Sequence, residues 1–134
     1  MPGKNFFDTN VLIYAIAQND PRGPRAEALL ATGGVVGVQG LNEFVAVARR
    51  KLRMPWKDVT EALEAIRVLC PSSIPIEIST HEAALKIAED RSYGIYDALV
   101  IAAALETGCT TLYSEDLQDG QVIGGKLTIR NPFK

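Results

Sequence analysis

Residues 5–15, NFFDTNVLIYA, introduce the pattern that recurs along this chain of 134 residues. Phe6 and Phe7 are typical of the end of a buried strand, and Asp8 and Thr9 offer side-chain oxygens to cap a helix predicted for residues 10–17. In open α/β sheets, ligands bind at the edge where strands end and helices begin. We therefore expect Asp8 to lie at a functional edge of a sheet.

Short apolar strands and amphipathic helices alternate along the rest of the chain. The spacing of apolar residues predicts helices at about residues 24–32, 39–53, 56–70, 80–90 and 96–107, and strands at 35–38, 74–78, 110–113 and 127–130. Ser79-Thr80-His81-Glu82 has the form of a capping box for the helix at 80–90. The alternation predicts one α/β domain, residues 1–134, built as a three-layer α/β/α sandwich with a mainly parallel, roughly five-stranded sheet.

Composition limits the classes of protein that fit. The formal net charge is −2, which argues against a generally basic nucleic-acid-binding protein but permits a local basic patch. Two cysteines, Cys70 and Cys109, are too few for a zinc site or a disulfide framework and fit a reducing compartment. No signal peptide is evident, and the most apolar run, residues 98–105, is shorter than a membrane span. We expect a cytoplasmic protein with no membrane partner.

Acidic residues recur where predicted strands end and helices begin. Glu43 lies in the first turns of its helix, Asp97 begins an otherwise apolar helix, and Asp116 and Asp119 follow the strand at 110–113. Any one of them gains about 0.3 to 1 kcal/mol from a helix dipole without having a function. Right-handed crossovers, however, bring these segments to one edge of a parallel sheet. We expect the acids to converge there.

Converging carboxylates need a cation. Two carboxylates about 4 Å apart repel by about 4 kcal/mol at an effective dielectric constant of about 20. Oxygen donors favour the hard ions Mg²⁺ and Mn²⁺, which are commonly held by one or two carboxylates together with phosphate oxygens. A metal held in this way polarises a phosphoryl oxygen and lowers the pKa of bound water. The pattern thus favours hydrolysis of a phosphoester.

Four motifs in order resemble the PIN-domain nucleases, and among them the short VapC-type toxins of prokaryotic toxin–antitoxin pairs. The motifs are FDTNVL at residues 7–12, NEF at 42–44, YDALVIAAA at 96–104 and LYSEDLQDG at 112–120. Each is moderately specific alone, but the four occur in the family's order and cover essentially the whole chain. The resemblance implies a Mg²⁺-dependent endoribonuclease that acts on RNA, forms a homodimer and is blocked by a cognate antitoxin.

The resemblance also assigns roles to residues. Asp8 and Asp97 match the principal metal ligands, and Glu43 and Asp116 complete the acidic quartet, with Mn²⁺ as a possible substitute for Mg²⁺. Asp119 is the second choice for the fourth acid, and Glu115 is expected to be solvated. The positions expected to support the site are Thr9, Asn10, Ser114 and Asp119.

Basic and aromatic residues offer further candidates. Arg49, Arg50 and Arg53 form part of the densest basic stretch, which suits contacts with RNA phosphates or a partner chain but also suits a solvated helix end. Tyr93 and Tyr96 precede Asp97, where they either stack on a base or pack against the protein.

Other functions fit the sequence less well. A phosphatase of the haloacid-dehalogenase type needs an aspartate two residues after the first one, and the chain has Asn10 there. A receiver domain needs a late lysine at the site, whereas Lys126 lies in a predicted turn. A PIN-fold DNA nuclease remains open, because carboxylates recognise phosphate rather than sugar. A non-catalytic PIN-fold interaction module is the other alternative; the loss of one of the four acids would favour it, and none of them is missing.

Overall fold

The computed structural model describes residues 4–134. In these residues the strands are β1 (Lys4–Phe7), β2 (Val35–Gly37), β3 (Ser72–Ile74), β4 (Cys109–Tyr113), β5 (Val122–Ile123) and β6 (Leu127–Arg130). The helices are α1 (Thr9–Ile16), α2 (Gly23–Ala31), α3 (Val38–Arg50), α4 (Trp56–Leu69), α5 (Ile78–Arg91) and α6 (Ile95–Glu106). None of the helices in residues 4–134 is long and apolar enough to span a membrane.

The strands form one mainly parallel sheet in the order β3-β2-β1-β4-β6-β5. Only β5, which pairs with β6, is antiparallel. Phe6 and Phe7 follow each other in β1, so their side chains point to opposite faces of the sheet. Phe7 belongs to the core under α1 to α4, and Phe6 belongs to the core under α6. The predicted α/β fold with a mainly parallel sheet is therefore confirmed.

The order of the strands creates a switch point between β1 and β4. From β1 the chain builds outward through β2 to β3, and it then returns to place β4 on the other side of β1. The segments that follow β1 and β4 leave the same edge, where the Asp8 amide donates to the Tyr113 carbonyl at 3.0 Å. In open α/β sheets a crevice for ligands forms at such a point. The fold thus opens a cleft beside Asp8 and Ser114.

Two strands differ from the sequence-based prediction. Strand β3 is Ser72–Ile74 rather than residues 74–78, because Pro75 cannot donate to the ladder and the partner β2 is itself only three residues long. The sheet has six strands rather than about five, because β5 and β6 form a small hairpin. Gly124 and Gly125, with φ of 60° and 66°, make the tight turn of this hairpin.

The start of α5 also differs from its prediction. Glu77 rather than Ser79 is the N-cap, and its amide donates to the Thr80 hydroxyl at 3.2 Å. That hydroxyl, which is fully buried, donates in turn to a Glu106 carboxylate oxygen at 2.8 Å. Glu77 and Thr80 thus form a reciprocal capping box, which is why the helix begins earlier than the pattern Ser79-Thr80-His81-Glu82 predicts.

Candidate active site

The four acids predicted to converge line one cleft of about 370 Å³. Asp8 directly follows β1, and Glu43 lies in the second turn of α3. Asp97 lies in the first turn of α6, and Asp116 lies in the loop after β4. Residues up to 108 positions apart therefore meet because their segments leave the same edge of the sheet.

Asp8 is the most constrained of the four acids. Its side chain is buried, and it accepts hydrogen bonds of 2.7 Å from the Thr9 amide and 2.7 Å from the Ser114 hydroxyl. Burial raises the pKa of Asp8 to about 6; these two hydrogen bonds oppose the rise, and the negative charges of Asp116 and Glu43 add to it. The two hydrogen bonds thus fix the directions of both carboxylate oxygens of Asp8. Burial at the same time makes ionisation of this side chain less favourable than it is in water.

Neutral donors hold two more of the acids. The Thr9 hydroxyl and the Gln39 amide donate to the two carboxylate oxygens of Glu43 at 2.9 and 3.0 Å. The Asn10 side-chain amide donates to a carboxylate oxygen of Asp116 at 3.2 Å. The side chains of Thr9, Asn10 and Ser114, which were predicted to support the site, each donate to one of its acids, and the Thr9 amide donates to a second.

Asp97 differs from the other three acids. Within residues 4–134 its carboxylate makes no side-chain hydrogen bond or ion pair, although the residue is half-buried. Burial raises the pKa of Asp97, and the negative charges of Asp116 and Glu43 raise it further. Among the four acids, Asp97 is the carboxylate that is open to a ligand on both of its oxygens.

Two neighbouring acids of the β4 exit loop lie outside the cleft. Asp119 accepts a hydrogen bond of 2.8 Å from the Asn131 amide and lies 4.0 Å from the Lys134 ammonium, so it binds the C-terminal segment. Glu115 accepts from the Tyr14 hydroxyl and pairs with Arg22 at 3.2 Å. The expectation that Glu115 is solvated was wrong, because its partners come from the α1–α2 region, distant in sequence.

The three arginines predicted as RNA or partner contacts have different surroundings. Arg50 lines the acidic cleft. Arg49 instead lies over the Trp56 ring, 4.4 Å from its centroid, and donates to the Met54 carbonyl. Arg53 lines a separate depression between the end of α1 and the start of α4. Arg50 is therefore the one of the three that can balance charge inside the cleft.

The two tyrosines before Asp97, Tyr93 and Tyr96, also have different surroundings. Tyr93 is half-buried, packs against the core and donates to the Gln121 side chain. Tyr96 is 70% exposed at the rim of the cleft.

Gln39 was not predicted as a site residue. It lies four residues before Glu43 on α3 and donates to the Glu43 carboxylate, and this helical spacing could have identified it.

The cleft suits a hard divalent cation. Its acidic side chains that can bind a metal ion are four carboxylates, and two of them have raised pKa values because burial and their neighbours disfavour the charged form. Across residues 4–134, no three Asp, Glu, His or Cys side chains are already gathered into a ready-made metal cage. Mg²⁺ does not require such a cage, because it keeps several waters and binds through one or two carboxylates. The residues therefore fit this type of ion.

Comparisons with known proteins agree with this architecture. The model of the PIN domain family matches residues 6–118. A search of curated proteins gave no match. Several solved structures share the fold, among them three at 18 to 20% sequence identity.

A toxin–antitoxin complex from Klebsiella pneumoniae has a TM-score of 0.74 and 18% identity, over 98% of this chain and 99% of that one. VapC20 from Mycobacterium tuberculosis, described as a toxin that cleaves the sarcin–ricin loop, has a TM-score of 0.67 and 20% identity, over 84% and 92%. VapBC2 from Rickettsia felis, bound to a promoter DNA fragment, has a TM-score of 0.67 and 18% identity, over 95% and 97%.

The fold and the acidic cleft at its switch point place the protein among α/β domains with a carboxylate-lined site. The chain belongs to the PIN domain family, as the match over residues 6–118 establishes.

Proposed function

We propose that this protein is a metal-dependent endoribonuclease and the toxin of a toxin–antitoxin pair. The observation that carries the proposal is that Asp8, Glu43, Asp97 and Asp116, from four separate segments, line one cleft together with Arg50. Acids crowded at the cost of raised pKa values are difficult to explain by stability alone. Structural relatives that are described as toxins or toxin–antitoxin complexes support the biological setting.

The proposed cofactor is Mg²⁺, which Mn²⁺ can replace. Asp8 and Asp97 are the proposed principal ligands, with Glu43 and Asp116 completing the set. When bound, such an ion supplies a Lewis acid for a phosphoryl oxygen and lowers the pKa of a bound water for attack on phosphorus. Oxygen-only donors and the raised pKa values of Asp8 and Asp97 support this assignment.

The residues of the chain have distinct parts in this proposal. Ser114 and the Thr9 amide fix the direction of the Asp8 carboxylate, and Thr9 and Gln39 fix that of Glu43. Asp97, without a partner among residues 4–134, is available to the cofactor or its waters. Arg50 provides a positive charge at the cleft for a phosphate of the substrate.

The proposed partners are RNA, a cognate antitoxin protein and a second copy of the chain, all in the cytoplasm. Large apolar side chains are exposed near the cleft, and burying them in a homodimer would remove them from water. Val38 (40% exposed), Ile76 (44%) and Tyr96 (70%) line an apolar depression together with Glu43, and Ile78 (74%) is exposed at the start of α5.

The cleavage assay uses purified protein that is free of antitoxin. Structured and single-stranded RNA, and DNA of the same sequence, are incubated with Mg²⁺, Mn²⁺ or EDTA. We expect cleavage of RNA that EDTA abolishes and that Asp97→Asn reduces by more than the loss of about 10- to 100-fold that is typical when a residue supporting a metal ligand is replaced. Asp90→Asn, at an exposed position on α5, is the matched control and should retain wild-type activity.

Each result of the assay has a definite meaning. Absence of cleavage with every RNA, or cleavage that survives both EDTA and Asp97→Asn, contradicts the proposal. Cleavage of DNA in preference to RNA makes the protein a DNA nuclease, and binding of RNA without cleavage makes it an interaction module. Comparing Asp116→Asn with Asp119→Asn tests the fourth acid, and we expect only the first to lose activity.

A further inference from the structure

Asp116 is the most exposed of the four acids. It is exposed, lies in the loop after β4, and its carboxylate accepts a single hydrogen bond, from Asn10 at 3.2 Å. Its amide donates to the Ser114 hydroxyl at 3.2 Å. An exposed loop carboxylate held this lightly needs further restraint to present its oxygens in one direction.

The restraint comes through the preceding residue. The Glu115 amide donates to the Asn10 side-chain oxygen at 3.4 Å, and the Glu115 carboxylate accepts from the Tyr14 hydroxyl. Asn10 and Tyr14 are four residues apart on α1 and therefore lie on the same face of that helix. One face of α1 thus binds two consecutive residues of the loop: Asn10 binds the Asp116 carboxylate and the Glu115 amide, and Tyr14 binds the Glu115 carboxylate.

A cation secures Glu115 from the other side. Arg22 donates to Glu115 at 3.2 Å and to both carboxylate oxygens of Asp20 at 2.9 Å. Its guanidinium lies over the Tyr14 ring, 3.6 Å from the centroid. Arg22 therefore shares its positive charge between Asp20 and Glu115, next to the acidic cleft, and also packs against the ring whose hydroxyl binds Glu115.

We propose that Tyr14, Arg22 and Glu115 are positioning residues that orient the Asp116 carboxylate for a divalent cation. This inference rests on the proposed metal-dependent function, because it assigns Asp116 to the cation. None of the three residues lines the acidic cleft, and they act through the backbone of the β4 exit loop and through α1. Residues that orient a metal ligand typically alter metal affinity by about 10- to 100-fold.

The test measures binding of Mn²⁺ by electron paramagnetic resonance, without substrate. Tyr14→Phe removes the hydroxyl, and Glu115→Gln removes the charge; each should weaken Mn²⁺ binding by about tenfold. Arg22→Lys keeps the charge but loses the forked geometry, and it should give a smaller loss in the same direction. Tyr93→Phe is the matched control, since its hydroxyl binds Gln121 further along the same loop, and it should bind Mn²⁺ as the wild type does.

A double-mutant cycle separates positioning from general stability. In an Asp116→Asn background, Tyr14→Phe and Glu115→Gln should weaken Mn²⁺ binding no further, because the carboxylate that they orient is gone. Binding is measured at a temperature at which circular dichroism shows each variant to be folded. Arg22→Lys supplies the comparison if either of the other variants does not fold.

Several results would overturn the inference. They are wild-type Mn²⁺ affinity in the variants, an equal loss of affinity with and without the Asp116 carboxylate, and no Mn²⁺ binding by the wild type. If Mn²⁺ binding depends on the three residues but no nucleic acid is cleaved, the nuclease proposal fails and this inference stands. If RNA is cleaved while the variants bind Mn²⁺ normally, this inference fails and the nuclease proposal stands.

Discussion

Replacing Asp8 by asparagine should stabilise the metal-free protein at neutral pH while removing a proposed metal ligand. Asp8 is 7% exposed, and burial raises its pKa from 3.8 to about 6; hydrogen bonds from Ser114 and Thr9 oppose the shift, and the charges of Asp116 and Glu43 add to it. Each pKa unit corresponds to about 1.4 kcal/mol, so ionised Asp8 costs the folded state on the order of 3 kcal/mol at pH 8.

The sign of the pH dependence follows from counting protons. Between the unfolded pKa of 3.8 and the folded pKa of about 6, the folded protein keeps a proton on Asp8 that the unfolded chain has released. The wild-type free energy of unfolding is therefore unaffected by ionisation of Asp8 below about pH 4, and it falls as pH rises from there through about 6. Asparagine has no such proton, so the variant lacks this part of the pH dependence.

The expected net effect combines two terms. An asparagine can still accept from the Thr9 amide, but its NH₂ group cannot accept from the Ser114 hydroxyl, which costs about 1 kcal/mol. Asp8→Asn should therefore be more stable than the wild type by about 2 kcal/mol at pH 8 and less stable by about 0.5 kcal/mol at pH 4. The stability difference should change sign between these two pH values.

The measurement is urea unfolding in EDTA at several values from pH 4 to pH 8. Asp119→Asn, at an exposed acid outside the cleft, is the control and should show no such change of sign. Addition of Mg²⁺ at pH 8 should stabilise the wild type and leave Asp8→Asn unchanged. A variant that is less stable than the wild type at pH 8, or a difference that is independent of pH, would refute the reasoning.

Three shorter predictions concern packing, thiol chemistry and the support of Glu43. Gly34→Ala should lower the free energy of unfolding by about 1 to 3 kcal/mol in urea, since a Cβ there would lie 2.6 Å from a ring carbon of Phe7. Burial raises the pKa of Cys70 to about 11, so at pH 8 its thiol should react with a disulfide reagent only after unfolding. Thr9→Val removes the donor to Glu43 and should lower kcat/KM for RNA by about tenfold at wild-type-like stability.

Each of these three predictions can be contradicted by a specific result. Gly40→Ala, whose Cβ would lie at an ordinary 3.5 Å from the Thr9 hydroxyl, should be tolerated inside α3, and equal stability of both alanine variants would contradict the steric argument. Rapid labelling of Cys70 in the folded protein would contradict its burial. Unchanged RNA cleavage by Thr9→Val would mean that Glu43 needs no fixed orientation.

The sequence predicted well those features that depend on local patterns. The alternation of strands and helices follows from the spacing of apolar residues, and the parallel sheet follows from that alternation. The same pattern predicts that Asp8, Glu43, Asp97 and Asp116 lie at one edge of the sheet, because each follows a strand or lies in the first turns of a helix. The structure places all four in one cleft.

Short strands were less predictable. Strand β3 spans three residues and β5 spans two, lengths at which the pairing partner rather than the segment's own composition decides the extent of the strand. The start of α5 was misplaced because the capping box is formed by Glu77 and Thr80, and glutamate is not among the residue types preferred at an N-cap.

The sequence by itself determined the class of fold, the identities of the acids and the edge of the sheet at which they were expected, because apolar periodicity and strand-end chemistry are properties of neighbouring residues. Only the tertiary structure decided among similar side chains. It placed Asp116 in the cleft and Asp119 against the C-terminal segment, and it turned Arg50 into the cleft and Arg49 onto Trp56. These choices depend on partners far along the chain, which no local pattern specifies.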